Sequence, residues 1–204
     1  MEGPIVDGFG SANGPIAFID RDGVLNFGRN GYVNHPSELS IIPGSGKAIA
    51  KLREKGYAIC VVTNQSPIMR GLWTVERLHS IHHELRRQLL AEDSNAVIDL
   101  ILTCPHRNRD RCECRKPWPG MLVKGHNLLR DDRQPNRPID WAGEKPDFWH
   151  PLDAMVGDRK SDMGAGWAVG ARTFEVSARH GLPQVIDRVL DSKDSGDFYD
   201  PMRW

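Results

Sequence analysis

The chain has 204 residues, enough for one domain, or for one domain with a decorated loop. Its 27 basic and 27 acidic side chains cancel, the pI is about 7.1 and the mean hydropathy is −0.48. No global basic field for nucleic acid follows from that balance, and no apolar run reaches the length of a membrane span. Met1-Glu2-Gly3-Pro4 lacks the basic and apolar regions of a secretion signal, so the expected location is the cytoplasm.

Residues 1–14 are Gly-rich and poorly patterned, and are expected to form a flexible arm. Ile16-Ala17-Phe18-Ile19 then runs straight into Asp20-Arg21-Asp22-Gly23, which reads as a buried strand closed by a turn. Two carboxylates one residue apart would point to opposite faces of a regular strand; Gly23 allows the backbone to bend and turn both toward one place. A plain acidic turn is the competing reading. Pro43-Gly44 precedes a helical pattern with Ile49 and Leu52 inward and Lys47, Lys51 and Lys55 outward, stopped at Gly56. A second buried strand, 57–62, ends in Thr63-Asn64-Gln65-Ser66. Thr74 is a good N-cap for a long helix with Val75, Leu78, Ile81, Leu85 and Leu89 at helical spacing. That helix carries His79, His82 and His83, read as a solvated face because no carboxylate completes a metal motif.

A third strand, 97–103, leads to Cys104-Pro105-His106 and Cys112-Glu113-Cys114. Three thiolates and an imidazole form a closed tetrahedral zinc set, which would be structural; unrelated thiols in a loop are the alternative. Cys60, inside an apolar run, reads as an inert core thiol. Pro119 opens a helix to about residue 129. Residues 131–153 form a long insertion rich in proline and tryptophan. A short strand, 154–156, ends in Gly157-Asp158; a helix near Ser161, a strand at 172–176, a helix at 183–190 and a mobile tail at 191–204 complete the chain. Strands alternating with helices imply one Rossmann-like α/β domain over 15–190, its central parallel sheet covered by helices on both faces.

In such a sheet the strand C-termini share an edge, so Asp20, Asp22, Thr63, Asn64 and Asp158 are expected to converge there. Clustered carboxylates call for a cation, and oxygen ligands of this kind suit Mg²⁺ beside a substrate phosphate. A carboxylate can attack phosphorus and a second can move the proton.

Asp20-Arg21-Asp22-Gly23-Val24-Leu25-Asn26, Val62-Thr63-Asn64-Gln65-Ser66, Cys114-Arg115-Lys116-Pro117 and Val156-Gly157-Asp158-Arg159-Lys160-Ser161-Asp162 resemble, in order and spacing, the four motifs of the haloacid dehalogenase superfamily of phosphatases. The resemblance spans about residues 16–180. It implies that Asp20 is the nucleophile and Asp22 the acid/base, and that Thr63 and Lys116 hold the phosphoryl group. It also implies that Asp158 binds Mg²⁺ with Asp20 and the Asp22 carbonyl, while Asp162 supports the metal from an outer shell. The zinc loop at 104–114 resembles the subgroup containing heptose bisphosphate and histidinol-phosphate phosphatases. Thr63-Asn64-Gln65-Ser66, Arg70-Gly71 and Pro119-Gly120-Met121-Leu122 lean toward the heptose branch, which implies release of the 7-phosphate from D-glycero-D-manno-heptose 1,7-bisphosphate. Histidinol phosphate is the alternative substrate; a nucleic-acid 3′-phosphatase and a non-catalytic zinc-stabilised binding protein are weaker ones. By resemblance, Arg29, Asn30, Gly31, Tyr32, Asn64, Gln65, Ser66, Arg115 and Arg159 should contact substrate. The gap between Asp22 and Thr63 leaves no room for a large cap domain, so the enzyme should be nearly capless. The expected partner is a small sugar phosphate, with neither nucleic acid nor membrane, acting on a monomer or weak homo-oligomer.

Overall fold

A computed structural model describes residues 3–29, 31–131, 134 and 138–203. Its strands are β1 (Ile5–Gly8), β2 (Ile16–Ile19), β3 (Ala58–Asn64), β4 (Leu100–Cys104), β5 (Ala154–Gly157) and β6 (Arg172–Glu175). Its helices are α1 (Ser45–Glu54), α2 (Val75–Glu92), α3 (Gly120–Arg130), α4 (Lys160–Trp167) and α5 (Ile186–Leu190). The sheet order is β1-β4-β3-β2-β5-β6; β2 to β6 run parallel and β1 lies antiparallel to β4.

The central strands are apolar on both sides because both sides are covered. Ala17, Ile19, Ile59, Val61 and Ile101 face a core shared with Ile49 and Leu52 of α1 and with Leu78, Ile81, Leu85 and Leu89 of α2. Their neighbours Ile16, Phe18, Cys60, Val62 and Leu102 face Met121, Leu122 and Leu129 of α3 and Ala165 of α4. Each fully buried Leu or Ile contributes about 1.5–3 kcal/mol relative to an exposed one. Thr74 caps α2, its hydroxyl accepting from the Arg77 amide at 3.3 Å.

Three expectations are corrected. The N-terminal arm is not loose throughout: Ile5–Gly8 adds an edge strand, in register from Ile5↔Thr103 to Gly8↔Leu100. The histidine-bearing face of α2 is not wholly solvated. His82 is fully buried, and its Nδ1 lies 3.1 Å from Asp7 Oδ2. The same oxygen takes Arg86 Nη1 at 3.1 Å and faces His79 Nδ1 at 3.4 Å. Asp7 is thus the carboxylate that the histidines lack in sequence, but a guanidinium already serves as its cation.

The tail is also docked rather than free. The Asp197 amide donates to Thr173 O at 2.6 Å, Asp197 Oδ2 accepts from the Glu175 amide at 2.8 Å, and Tyr199 packs on Met163 and Trp167 of α4. Trp204 lies outside the described residues. From the insertion, Trp141 stacks on Trp167 at 5.8 Å and meets Trp118 edge-on at 5.9 Å. Aromatic packing of this kind anchors the described part of the insertion to α4.

Candidate active site

Strands β3, β2 and β5 are neighbours, so their C-terminal ends place Thr63, Asp20 and Asp158 side by side. A cavity of about 300 Å³ opens there, with Asp20, Asp22, Thr63, Lys116, Asp158 and Asp162 in its lining. After β2 the chain turns tightly: the amides of Leu25 and Asn26 both donate to Arg21 O, and the Gly23 amide donates to Asn26 O at 2.7 Å. Gly23 has φ 83°, and a Cβ there would stand 2.5 Å from Asp158 Oδ2. Only glycine meets both demands.

Lys116 ties the edge together. Its Nζ lies 2.7 Å from Asp20 Oδ1, 2.7 Å from Asp162 Oδ1 and 2.7 Å from Val62 O. Asn64 holds the backbone beneath it, accepting from the Lys116 amide at 3.2 Å and donating to Lys116 O at 3.1 Å. Asp162 also accepts from the Arg159 amide at 3.0 Å, so it caps α4 while facing the lysine.

The two expected catalytic carboxylates have opposite environments. Burial pushes Asp20 up to about 6, against the pull of the Lys116 ammonium and with a further push from Asp162. Burial also works on Asp22, but it is outweighed by Arg21, Asn26 and Gln65, and Asp22 ends below its ordinary value. Those donors sit at 2.8 Å from Arg21 Nη2, 2.8 Å from Asn26 Nδ2 and 2.8 Å from Gln65 Nε2. Burial and the nearby Asp20 charge raise Asp158 to about 6.

Both metal sets fit their ions. Carboxylate oxygens of Asp20, Asp158 and Asp162 lie within 4.8 Å of one another, and Asp158 Oδ1 is buried without a hydrogen-bond partner, a donor set suited to a hard divalent cation. Cys104, His106, Cys112 and Cys114 are all buried, with ligand atoms inside the same span. Cys104 and Cys114 sulfurs each lie 3.7 Å from His106 Nδ1, and the Cys112 and Cys114 sulfurs are 3.1 Å apart. Bonding to the Cys114 thiol first, helped by His106, lowers Cys104 to about 6, whereas Cys114 is pushed up by the same pairing and by burial. Three sulfurs and an imidazole packed this closely and out of water are a donor set that suits a single Zn²⁺. Arg115 donates from Nη1 to His106 O at 2.9 Å, so this loop also holds an arginine of the cavity.

No family model matches the chain. A D-glycero-beta-D-manno-heptose-1,7-bisphosphate 7-phosphatase from Pseudomonas aeruginosa is 44% identical over 168 residues, covering 82% of this chain and 83% of that one. A D-glycero-alpha-D-manno-heptose-1,7-bisphosphate 7-phosphatase from Mycobacterium tuberculosis is 36% identical over 147 residues, 72% of this chain and 68% of its own length. The crystal structure of D,D-heptose 1,7-bisphosphate phosphatase from B. bronchiseptica, complexed with magnesium and phosphate, matches with a TM-score of 0.66 at 28% identity. That match covers 92% of this chain and 93% of the other. The chain belongs to the heptose bisphosphate phosphatase family, on the haloacid dehalogenase fold.

Within this family member, the expected substrate-contact residues divide. Arg29, Gly31, Tyr32, Asn64, Ser66, Arg115 and Arg159 line the cavity, and Tyr32 Oη lies 3.2 Å from Ser66 Oγ. Asn30 lies outside the described residues. Gln65 is the correction: it is buried beneath the cavity, its Nε2 reaching Asp22 Oδ2 and Thr63 Oγ1, both at 2.8 Å. It follows Asn64 out of β3, and its amide donates to Cys104 O, which aims the side chain inward. Sequence reasoning missed Arg21 and Asn26 as holders of Asp22, and Asn108 and Ser161 in the cavity lining. Arg21 and Asn26 stand inside the first motif, so proximity was the available signal. Asn108 had none, since its place in the lining depends on how the loop at 104–114 folds back.

Proposed function

We propose that this protein removes the 7-phosphate of D-glycero-D-manno-heptose 1,7-bisphosphate. The observation that carries the reading is the joint placement of Asp20, Asp22, Thr63 and Lys116 around one cavity, in a family whose named members act on that substrate. The Asp20 carboxylate attacks phosphorus and forms an aspartyl-phosphate as the phosphorus–oxygen bond to the sugar breaks. Asp22 gives its proton to the departing alkoxide, then takes one from the water that attacks the acyl phosphate, releasing inorganic phosphate and restoring Asp20. Free of substrate, Asp22 is held ionised by its donors; the arriving phosphate dianion raises it toward the acid form. Lys116 and the Thr63 hydroxyl hold the transferring group, whose negative oxygens they face through transfer.

Asp20, Asp158 and the Asp22 carbonyl are the residues that would hold Mg²⁺, with Asp162 in support. When bound, the ion neutralises charge on the phosphoryl oxygens and offsets carboxylate repulsion. Cys104, His106, Cys112 and Cys114 would hold a structural Zn²⁺ that shapes the loop carrying Arg115. Arg29, Arg115 and Arg159 bring cationic charge to the open side of the cavity, suiting a substrate with a second phosphate. The enzyme acts in the cytoplasm on a small molecule.

The test is phosphate release with Mg²⁺ from both anomers of the heptose bisphosphate, fructose 1,6-bisphosphate and histidinol phosphate, ranked by kcat/KM. One heptose anomer should lead, and Asp20→Asn should abolish turnover. Histidinol phosphate leading by orders of magnitude would overturn the substrate assignment.

A further inference from the structure

His82 sits fully buried in α2, 75 residues from its carboxylate partner Asp7. A carboxylate only accepts, so the proton of this ring lies on Nδ1, 3.1 Å from Asp7 Oδ2. The ring stays neutral: burial pushes it down to about 4, against the pull of Asp7. Neutral and protonated at Nδ1, it presents Nε2 as an acceptor, and that atom is buried with no hydrogen-bond partner.

A complementary donor lies in the same layer. Arg21 is fully buried; its Nε and Nη2 both grip Asp22, at 3.3 and 2.8 Å, while Nη1 is buried without a hydrogen-bond partner. Arg21 follows Ile19 by two residues, and Ile19 packs in the core that contains Leu78, Ile81 and Leu85 around His82. Its charge is close enough to oppose protonation of the imidazole. Thr103 Oγ1 and Gln65 Oε1 are buried and unpartnered too, and Thr103 sits in register with both Ile5 of β1 and Thr63 of β3. Polar groups this deep are almost always satisfied, commonly by an internal water with two to four polar neighbours.

We propose that His82 is a positioning residue for Asp22: its Nε2 accepts from Arg21 Nη1 through an internal water, fixing the guanidinium that grips the acid/base. The inference rests on the reading of Asp22 given above. Asp7 then sets the tautomer of the ring, linking β1 to the site. The charged groups facing the ring are Asp7 from β1, Arg21 from the turn after β2 and Arg86 from α2 itself.

Two substitutions separate the halves of the ring. In His82→Gln, Oε1 can stand where Nε2 stood, keeping the acceptor and losing the Asp7 bond. In His82→Asn, the amide stands where Nδ1 stood, keeping the Asp7 bond and losing the acceptor. Losing one buried hydrogen bond in the chemical step should lower kcat of His82→Asn about tenfold with KM within about twofold, while His82→Gln stays within about threefold of wild type. Equal kcat in the two variants, or kcat that simply tracks Tm, would overturn the inference. A high-resolution crystal structure of wild type should show water between Nε2 and Nη1; a direct apolar contact there overturns the bridge. A wild type that hydrolyses no phosphate monoester overturns the phosphatase reading instead, while the crystal structure still decides the bridge.

Discussion

At the scale of single residues, the site rests on giving two nearby aspartates unlike surroundings. Asp20 meets one cation and a cluster of other carboxylates, and burial raises it to about 6. Asp22 accepts from three side chains, Arg21, Asn26 and Gln65, and it falls below its ordinary value. With no substrate bound this separation leaves Asp22 ionised, and the acid role proposed for it begins when the substrate phosphate raises it. Gln65 serves Asp22 and Thr63 at once, so Gln65→Leu should remove a donor from each without opening the cavity. The expected result is a fall in kcat of about 10–100-fold, with KM changed far less, read from steady-state phosphate release.

Among the elements, β1 and α2 form a pH-sensitive pair. Folding holds His82 down at about 4, below its ordinary 6.5, so over that window the unfolded chain binds a proton that the folded chain refuses. Stability therefore rises with pH between those values and is lost as pH falls through them, by on the order of 3 kcal/mol at most. Asp7 adds a loss at lower pH: His82 and Arg86 hold its carboxyl well below 3.8, so its contribution is present above that value and disappears beneath it. Urea midpoints measured between pH 7 and 4 should fall steeply for wild type and more gently for His82→Asn, which carries no titrating ring. The loop at 104–114 belongs to the same scale, and the zinc proposed there can be tested on it. Arg115 is anchored to His106 O, so Cys112→Ser should release Zn²⁺, let that anchor drift and raise KM; metal analysis beside kinetics would detect it. Unchanged KM in a zinc-free variant would remove the loop from substrate binding.

For the molecule as a whole, the tail and the insertion brace one face of the site. Tyr199 and Pro117 both press on Gly164 of α4, where a Cβ would stand 3.0 Å from the Tyr199 hydroxyl and 2.9 Å from Pro117 Cβ. Pro117 follows Lys116, and Trp118 meets Trp141 of the insertion, so distant segments converge on the loop that delivers the lysine. Removing residues 192–204 should strip Tyr199 from α4 and Asp197 from the edge of β6. Loss of about 2–3 kcal/mol of burial corresponds to a Tm lower by roughly 4–12 °C, measurable by calorimetry.

The sequence by itself determined the alternation of buried strands and amphipathic helices, and with it the edge where Asp20, Thr63 and Asp158 meet. Those features follow from periods of two and 3.6 residues and from motifs a few residues long, all of them local. The Cys/His cluster was legible for the same reason, its four side chains crowding within eleven residues. Tertiary structure decided the rest: β1 at the edge, His82 turned inward to Asp7, Gln65 turned under Asp22, and the tail laid on α4. Each is a polar or aromatic contact between segments far apart in the chain, 75 residues for Asp7 and His82 and 43 for Asp22 and Gln65. No local pattern distinguishes such a side chain from a solvated one. Only the closed fold, which removes water and leaves each buried donor in need of an acceptor, selects its partner.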